Sequence, residues 1–118
     1  DRRTWQDAQF LCSDSNSTFN FTNLVSVSNL QEFAFITSIA KSIVGFENFW
    51  IGLNDKETSG TFKWSDHSPE TFVRWGRGEP KRSKIKSCVQ MTLDDDRGAD
   101  WALESCETPL YFVCKNSN

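Results

Sequence analysis

The sequence predicts one α+β domain over residues 1–118, with two helices in the first half of the chain and most of the short strands after them. Side chains with helical periodicity lie within residues 4–45, and short alternating apolar segments separated by turns follow from residue 49 onward. The densest apolar segment, Phe49–Leu53, is expected to be the central strand, and residues 54–60 the turn after it. Because Gly52 has no side chain, we expect one of the five tryptophans to lie over its backbone.

The first helix is predicted to begin after Thr4, whose hydroxyl can cap it and which Asp7 follows three residues later. Its apolar face consists of three residues at helical spacing: Trp5, Ala8 and Cys12. A polar loop follows, and then Leu24–Val27, whose alternation is typical of a short strand. The loop contains two candidate N-glycosylation sites, Asn16 and Asn20, each within a sequon.

The second helix is predicted to begin with a capping box formed by Ser28 and Gln31. Four apolar residues then recur at spacings of three and four, which predicts one buried face: Phe33, Ile36, Ala40 and Ile43. Gly45 is expected to end the helix.

The second half of the chain is predicted to contain strands arranged around one long loop. Thr61–Trp64 alternates and is expected to form a hairpin with the central strand. Asp66–Ser87 has no regular pattern and is too long for a plain connector, which is typical of a functional loop. The rest is predicted as a strand, an acidic turn and two further strands: Cys88–Leu93, Asp94–Asp100, Trp101–Leu103 and Tyr111–Cys114.

Charge and hydropathy exclude two classes of protein. The chain has 13 Lys and Arg against 16 Asp and Glu, a net charge of −3, which argues against a general nucleic-acid binder. No apolar run approaches the roughly 20 residues that span a bilayer, so we expect no membrane insertion by this segment. The chain does not begin with a signal peptide, so for a secreted protein we expect that signal upstream.

The four cysteines include no Cys-x-x-Cys pair, which argues against a zinc ribbon and favours disulfides. Together with the two sequons they predict an extracellular glycoprotein, either secreted or part of a receptor ectodomain. We expect no cofactor and no enzymatic activity. The only histidine, His67, lies in a turn, and its proximity in sequence to Ser68 does not create a nucleophile–base pair.

The order of these features resembles the C-type lectin-like domain, a family of extracellular recognition modules, and the resemblance covers nearly the whole chain. Each matching piece is short, but their order and the cysteine spacing are together specific. In chain order the matching pieces are Trp5, Ala8, Cys12, Glu32-Phe33, Trp50–Leu53, Phe62–Asp66, Trp75, Gly78–Pro80, Cys88, Trp101, Cys106 and Tyr111–Cys114. The resemblance implies two disulfides, Cys12–Cys114 and Cys88–Cys106.

The resemblance also implies where a calcium ion would be held in sugar-binding members. Those members use a Glu-Pro-Asn or Gln-Pro-Asp triplet, a Glu before the third cysteine, and an Asn-Asp pair after the loop tryptophan. In this sequence the triplet reads Glu79-Pro80-Lys81, and the other three positions are Lys86, Ala102 and Leu103. Because Ca²⁺ takes six to eight oxygen ligands and only Glu79 keeps an oxygen, we expect no calcium at this site.

The long loop carries a basic segment of six cations: Arg74, Arg77, Lys81, Arg82, Lys84 and Lys86. The last five, together with Glu79, are the candidate ligand-binding residues. They are expected to attract an acidic ligand, such as a sulfated glycan or an acidic protein surface. The alternative is a solvated loop whose cations pair with nearby carboxylates: Asp94, Asp95, Asp96 and Asp100.

We therefore expect a module that binds a glycan or protein ligand without calcium. Two alternatives stay open: a calcium-dependent carbohydrate binder with rearranged ligands, and a structural module of a larger receptor. Asp55 with Glu57 resembles part of an accessory calcium site. Family members usually begin with a strand that pairs with the C-terminal strand. This chain begins at the first helix, so we expect that strand to be missing and Tyr111–Cys114 to form an open edge.

Overall fold

The computed structural model describes residues 2–13, 23–45, 47–81, 86–94 and 98–115. Within these ranges the chain forms two helices and seven strands. The helices are α1 (Trp5–Cys12) and α2 (Leu30–Val44). The strands are β1 (Asn23–Leu24), β2 (Phe49–Thr58), β3 (Thr61–Trp64), β4 (Lys86–Asp94), β5 (Gly98–Ser105), β6 (Tyr111–Phe112) and β7 (Cys114–Lys115). The sequons at Asn16 and Asn20 lie outside the described residues.

The strands form two sheets. The larger has the order β3-β2-β4-β5, with antiparallel neighbours, and β6 adds to β2 in parallel. The smaller consists of β1 and β7, which pair antiparallel through Leu24 and Cys114. The predicted α+β architecture with two helices and two small sheets is therefore confirmed.

Helix α1 agrees with its sequence pattern. The Thr4 side chain accepts a hydrogen bond from the Asp7 amide at 3.2 Å, so it caps the helix as predicted. The three apolar residues at helical spacing are all buried: Trp5, Ala8 and Cys12. The indole N–H of Trp5 donates to the Ile51 carbonyl at 2.9 Å, which fixes α1 against the central strand.

The capping box predicted for α2 is displaced by one residue. Asn29, not Ser28, is the N-cap, and its side chain accepts a hydrogen bond from the Glu32 amide at 2.8 Å. The Glu32 carboxylate in turn accepts from the Ser28 amide at 2.7 Å. The prediction of Ser28 with Gln31 was wrong because Asn29 and Glu32 satisfy the same spacing rule one position later.

One residue of the predicted buried face of α2 is exposed. Phe33, Ile36 and Ala40 are buried as predicted, whereas 74% of the Ile43 side chain is accessible. Ile43 instead lies in line with Phe35 and Ile39, which recur every four residues along a second apolar face. This face lines a groove of about 560 Å³ whose opposite wall includes the segment at residues 112–115.

Strands β2 and β5 each extend by several residues into a segment that the sequence predicts as a turn. The central strand continues to Thr58 because Asn54 and Thr58 pair with β3 across a bulge, so the turn is confined to the residues around Gly60. On the other side of the sheet, β5 begins at Gly98, which places Asp100 within a strand opposite Thr92 and not in the turn. Both segments have a polar sequence that does not indicate a strand. They are strands because they pair with the neighbouring strands of the sheet.

Gly52 lies against backbone and not beneath a tryptophan. A Cβ atom at this position would lie 2.7 Å from the Ser65 hydroxyl oxygen and 3.0 Å from the Leu24 carbonyl oxygen. The Gly52 amide donates to the Val25 carbonyl at 2.9 Å, and its carbonyl accepts from the Ser65 amide at 3.0 Å. The glycine is therefore required by the close approach of two chain segments, and the predicted covering tryptophan was wrong.

An aromatic cluster forms the centre of the core under the long loop. Trp101 is fully buried, and its ring packs edge to face against Trp64, Phe72 and Trp75 at centroid distances of 5.4, 5.9 and 6.0 Å. Trp75 also packs against Phe62 at 5.2 Å and remains half-buried. The loop is thereby attached to the core by aromatic contacts.

Both implied disulfides are confirmed. Cys12 bonds to Cys114 across a sequence separation of 102 residues, and Cys88 bonds to Cys106 across 18. The first joins α1 to β7, and the second joins the start of β4 to the residue just after β5. Neither of the two helices in the described part of the chain is long and apolar enough to cross a membrane.

Candidate ligand-binding loop

The middle of the long loop runs beside strand β5. The Trp101 amide donates to the Arg74 carbonyl at 2.8 Å, and the Gly76 amide donates to the Trp101 carbonyl at 2.9 Å. Gly76 permits this close approach, because a Cβ there would lie 3.2 Å from the Asp100 Cβ atom. The basic segment therefore starts on backbone that is hydrogen-bonded to the sheet.

Glu79 continues this attachment. Its carboxylate oxygen Oε1 accepts hydrogen bonds from the Leu103 amide at 3.1 Å and from the Lys81 amide at 2.9 Å. The carboxylate thus joins the loop to β5 and shapes the turn at the cis peptide before Pro80. Within the predicted ligand set, Glu79 therefore has a local structural role in the loop.

The residues around Glu79 do not fit a calcium ion. Ca²⁺ takes six to eight oxygen ligands at about 2.3–2.6 Å, and one oxygen of Glu79 is already shared by two backbone N–H groups. The remaining positions of the implied ligand set carry two lysine side chains and two hydrocarbon side chains. In the described ranges, no three His, Cys, Asp or Glu side chains come together as a metal-binding group.

Asp55 and Glu57, which resemble part of an accessory calcium site, have different surroundings: one is buried and the other exposed. Asp55 is buried, and its Oδ2 atom accepts a hydrogen bond from the Gly60 amide at 2.9 Å, so it closes the β2–β3 turn. Glu57 is exposed on the same strand. The buried carboxylate therefore has a structural partner in the turn.

The described cations of the basic segment are exposed to solvent or lie half-buried. Arg74, Arg77 and Lys81 are exposed, and Lys86 is half-buried at the start of β4; Arg82 and Lys84 lie outside the described residues. None of these four described cations forms an ion pair with a described carboxylate, Asp100 included. Asp95 and Asp96, two of the four carboxylates named in the alternative, lie outside the described residues, so the cross-paired arrangement stays a prediction.

Arg74 makes a specific contact with α2. Its guanidinium carbon lies 5.1 Å from the centroid of the Phe33 ring, within the range of a cation–π interaction. Both residues line a groove of about 520 Å³ between α2 and the loop. This groove could not be predicted, because nothing local in the sequence relates Arg74 to a helix so far away along the chain.

The base of the loop is held by a partly buried polar network around Ser26. Ser26 is fully buried, and its hydroxyl donates to Asp66 Oδ2 at 2.5 Å and accepts from Lys115 Nζ at 3.1 Å. Lys115 Nζ also lies 2.6 Å from Glu32 Oε2, and the Ser68 amide donates to Asp66 Oδ1 at 2.9 Å. The network therefore joins the start of the loop to α2 and to the C-terminal strand.

His67 takes no part in this network. Its backbone adopts a positive φ of 66°, and its amide donates to the Trp64 carbonyl at 3.0 Å. Among the described residues its imidazole has no hydrogen-bond partner, so it forms no nucleophile–base pair with Ser68.

The surroundings of Asp66 favour its ionised form. Burial alone would raise the pKa of this carboxyl, but hydrogen bonds from Ser26 and Ser68 and the charge of Lys115 outweigh burial and hold the pKa below its usual 3.8. Because the folded-state pKa is the lower one, ionised Asp66 stabilises the fold above about pH 3.8. This contribution is lost as the pH falls through the folded-state pKa.

We expect Asp66→Asn to lower the free energy of unfolding by about 1–2 kcal/mol near neutral pH, because it weakens a charged hydrogen bond to a buried hydroxyl. The difference from the wild type should shrink as the pH falls from about 3.8 through the lower folded-state pKa, below which the folded wild-type carboxyl is itself protonated. Urea unfolding over a series of pH values measures it. Glu70→Gln, an exposed carboxylate on the same loop, is the control. A constant difference at every pH would contradict this role of Asp66.

Comparisons of sequence give consistent relatives. Residues 1–116 match the family described as Lectin C-type domain. C-type mannose receptor 2 of Rattus norvegicus is 36% identical over 118 residues, an alignment that covers 98% of this chain and 7% of the receptor. Lithostathine-1-alpha of Homo sapiens is 37% identical over 120 residues, covering 100% of this chain and 69% of that protein. The chain thus spans a small part of the receptor and about two thirds of the lithostathine.

Comparisons of structure agree with these relatives. Human lithostathine superposes with a TM-score of 0.83 and 38% identity, covering 100% of this chain and 79% of the other. The C-type lectin CEL-I from Cucumaria echinata superposes with a TM-score of 0.84 and 30% identity, covering 97% and 83%. Both the sequence match over residues 1–116 and the shared fold lead to one conclusion: this chain belongs to the Lectin C-type domain family.

Proposed function

We propose that this domain is an extracellular recognition module whose long loop binds an acidic glycan or protein ligand without calcium. The observation that carries the proposal is the set of loop cations that are exposed or half-buried and have no ion-pair partner in the described part of the chain. In a chain of net charge −3, such a local concentration of positive charge is a surface that an acidic ligand fits.

Electrostatic complementarity sets the kind of ligand. A single exposed ion pair contributes only about 0.2–1 kcal/mol, so useful affinity requires several negative charges on one ligand. Arg74, Arg77 and Lys81 are spread along one stretch of loop that is fixed to β5 at Arg74, Gly76 and Glu79. A ligand with carboxylates or sulfates repeated along its length matches this arrangement, and its association should be accelerated by charge steering.

The side chains at the implied calcium-ligand positions support binding without calcium. Glu79 uses an oxygen to hold the loop, and Lys81 places an ammonium group where the resemblance implies an oxygen ligand. A unit positive charge about 4 Å from a divalent cation repels it by about 8 kcal/mol in a medium of moderate dielectric constant, twice the value for two unit charges. The loop cations therefore take the place of the metal as the positive partner of the ligand.

The two disulfides support an extracellular location, because such bonds persist in oxidising compartments. Among the described residues His67 is not aligned with a nucleophile, so this histidine gives no support to a catalytic role. We infer that the domain recognises its ligand and does not transform it.

The proposal is tested with two acidic probes, heparin and polyglutamate, measured by surface plasmon resonance at about 50 mM and about 500 mM NaCl. We expect Arg77→Gln with Lys81→Gln to weaken binding to the preferred probe by about tenfold at the lower salt concentration, since two ion pairs are lost. Lys63→Gln removes one positive charge from an exposed residue of β3, outside the loop, and should have little effect. Affinity that does not depend on salt or on the loop cations would overturn the proposal.

A further inference from the structure

The groove between α2 and the long loop combines an apolar floor with a positive rim. Its volume is about 520 Å³, and its apolar floor includes the buried residues Phe33 and Ala99 and the exposed Ala34. Thr37 and Ser38 of α2 also line it. Leu30, at the first position of α2, lies at the edge of the floor with 58% of its side chain exposed. The groove is thus large enough for a bulky side chain, since small-molecule sites range from about 300 to 1,000 Å³.

The charged residues that line the groove are both cations. Arg74 contributes from the loop and Lys41 from the C-terminal half of α2, and no described carboxylate is among the lining residues. Glu32, which belongs to the same helix, faces the opposite side, where it pairs with Lys115. The groove therefore offers positive charge beside exposed hydrocarbon.

Arg74 is held in position before any ligand arrives. Its carbonyl accepts the Trp101 amide at 2.8 Å, and its guanidinium rests over the Phe33 ring at 5.1 Å. A cation that is already oriented loses less side-chain entropy when it meets a carboxylate. Because Arg74 also begins the basic segment, the groove and the loop cations form one continuous surface.

We propose that this groove receives a bulky apolar side chain of an acidic peptide segment, while the flanking carboxylates of that segment meet Arg74 and the loop cations. The inference rests on the proposed function and names its ligand class as an acidic peptide. We favour a peptide over a glycan because an apolar side chain would cover the exposed hydrocarbon of Leu30 and Ala34, which the hydroxyl groups of a glycan would not.

Two synthetic peptides test the inference by fluorescence anisotropy: a glutamate-rich peptide with a central phenylalanine, and the same peptide with serine at the centre. We expect the wild-type domain to bind the phenylalanine peptide about tenfold more tightly. Leu30→Asn should remove most of that preference, and Arg74→Gln should weaken both peptides. Lys63→Gln is the charge-matched control and should change neither, and melting temperatures establish that each variant is folded.

Two outcomes would overturn the inference: equal affinity of the wild-type domain for both peptides, or an unchanged preference in Leu30→Asn. The proposed function can survive that failure. If heparin and both peptides bind equally and lose affinity in the Arg77→Gln and Lys81→Gln variant, the basic loop binds acidic ligands and the groove has no part in it. If heparin, polyglutamate and both peptides all fail to bind, the proposed function and the inference fail together.

Discussion

Replacing Cys12 and Cys114 with alanine is expected to lower the free energy of unfolding by about 4.7 kcal/mol. This value follows from the chain-entropy account of disulfides, in which a loop of about 100 residues closed in the unfolded chain removes that much conformational freedom. The bond spans 102 residues and joins α1 to β7, so nearly the whole described chain lies within its loop. A loss of this size is a large fraction of the about 5–15 kcal/mol that stabilises a typical domain.

Guanidinium unfolding of the wild type and the variant measures this difference, with circular dichroism as the readout. The matched control is the removal of Cys88–Cys106, whose loop of 18 residues corresponds to about 3 kcal/mol. We expect the first variant to be the less stable of the two. The reverse order would indicate that damage to packing in the folded state outweighs the loop-length effect.

Replacing Trp101 with alanine is expected to cost about 4 kcal/mol of folding free energy, within the usual range for a large buried aromatic side chain. Trp101 is fully buried and is the shared partner of three aromatic rings, so its loss leaves a cavity that Trp64 and Phe72 can fill only in part. The attachment of the long loop to the core should also weaken, because Trp75 of the loop packs on the Trp101 ring at 6.0 Å.

Thermal unfolding measures the stability of Trp101→Ala, and heparin binding measures the effect on the loop. Trp101→Phe keeps an aromatic ring in place and should lose about half as much stability. Val73→Ala, an exposed residue of the loop, should change stability by less than about 0.5 kcal/mol. If Trp101→Ala were as stable as Val73→Ala, the aromatic cluster would not be the centre of the core.

The features of the fold that follow from short-range patterns could be predicted from the sequence. Helix α1 begins at Trp5, directly after its N-cap Thr4, because capping depends on residues three apart. The central strand begins at Phe49 because a dense apolar run has few alternatives. The disulfide pairing came from the resemblance and not from local patterns, since four cysteines allow three connectivities.

The features that the sequence did not predict depend on contacts between distant segments. Gly52 is required by the Leu24 carbonyl and Ser65, and nothing near Gly52 in the sequence identifies either neighbour. Ile43 has an apolar side chain suitable for the core. Its position on α2 instead places it beside Phe35 and Ile39, in the groove between α2 and residues 112–115. The segment at residues 54–58 has the sequence of a polar turn, yet pairing with β3 makes it strand.

Parts of the candidate site could be located from the sequence. The basic segment and the replacement of calcium ligands are properties of composition at known positions, so the sequence was sufficient to locate both, while their role in binding stays a prediction. The hydrogen bonds of Glu79 to β5 and the contact of Arg74 with Phe33 could not be predicted, because each joins the loop to an element distant in the chain. The network around Ser26 and Asp66 was missed for the same reason.

We propose the loop cations, and not a calcium ion, as the positive partner of the ligand. Isothermal titration of a heparin oligosaccharide into the domain, first with excess CaCl₂ and then with EDTA, distinguishes the two. We expect dissociation constants that agree within about twofold, since no bound metal should contribute to the affinity. Binding that EDTA abolishes and added calcium restores would show that a calcium ion is the partner.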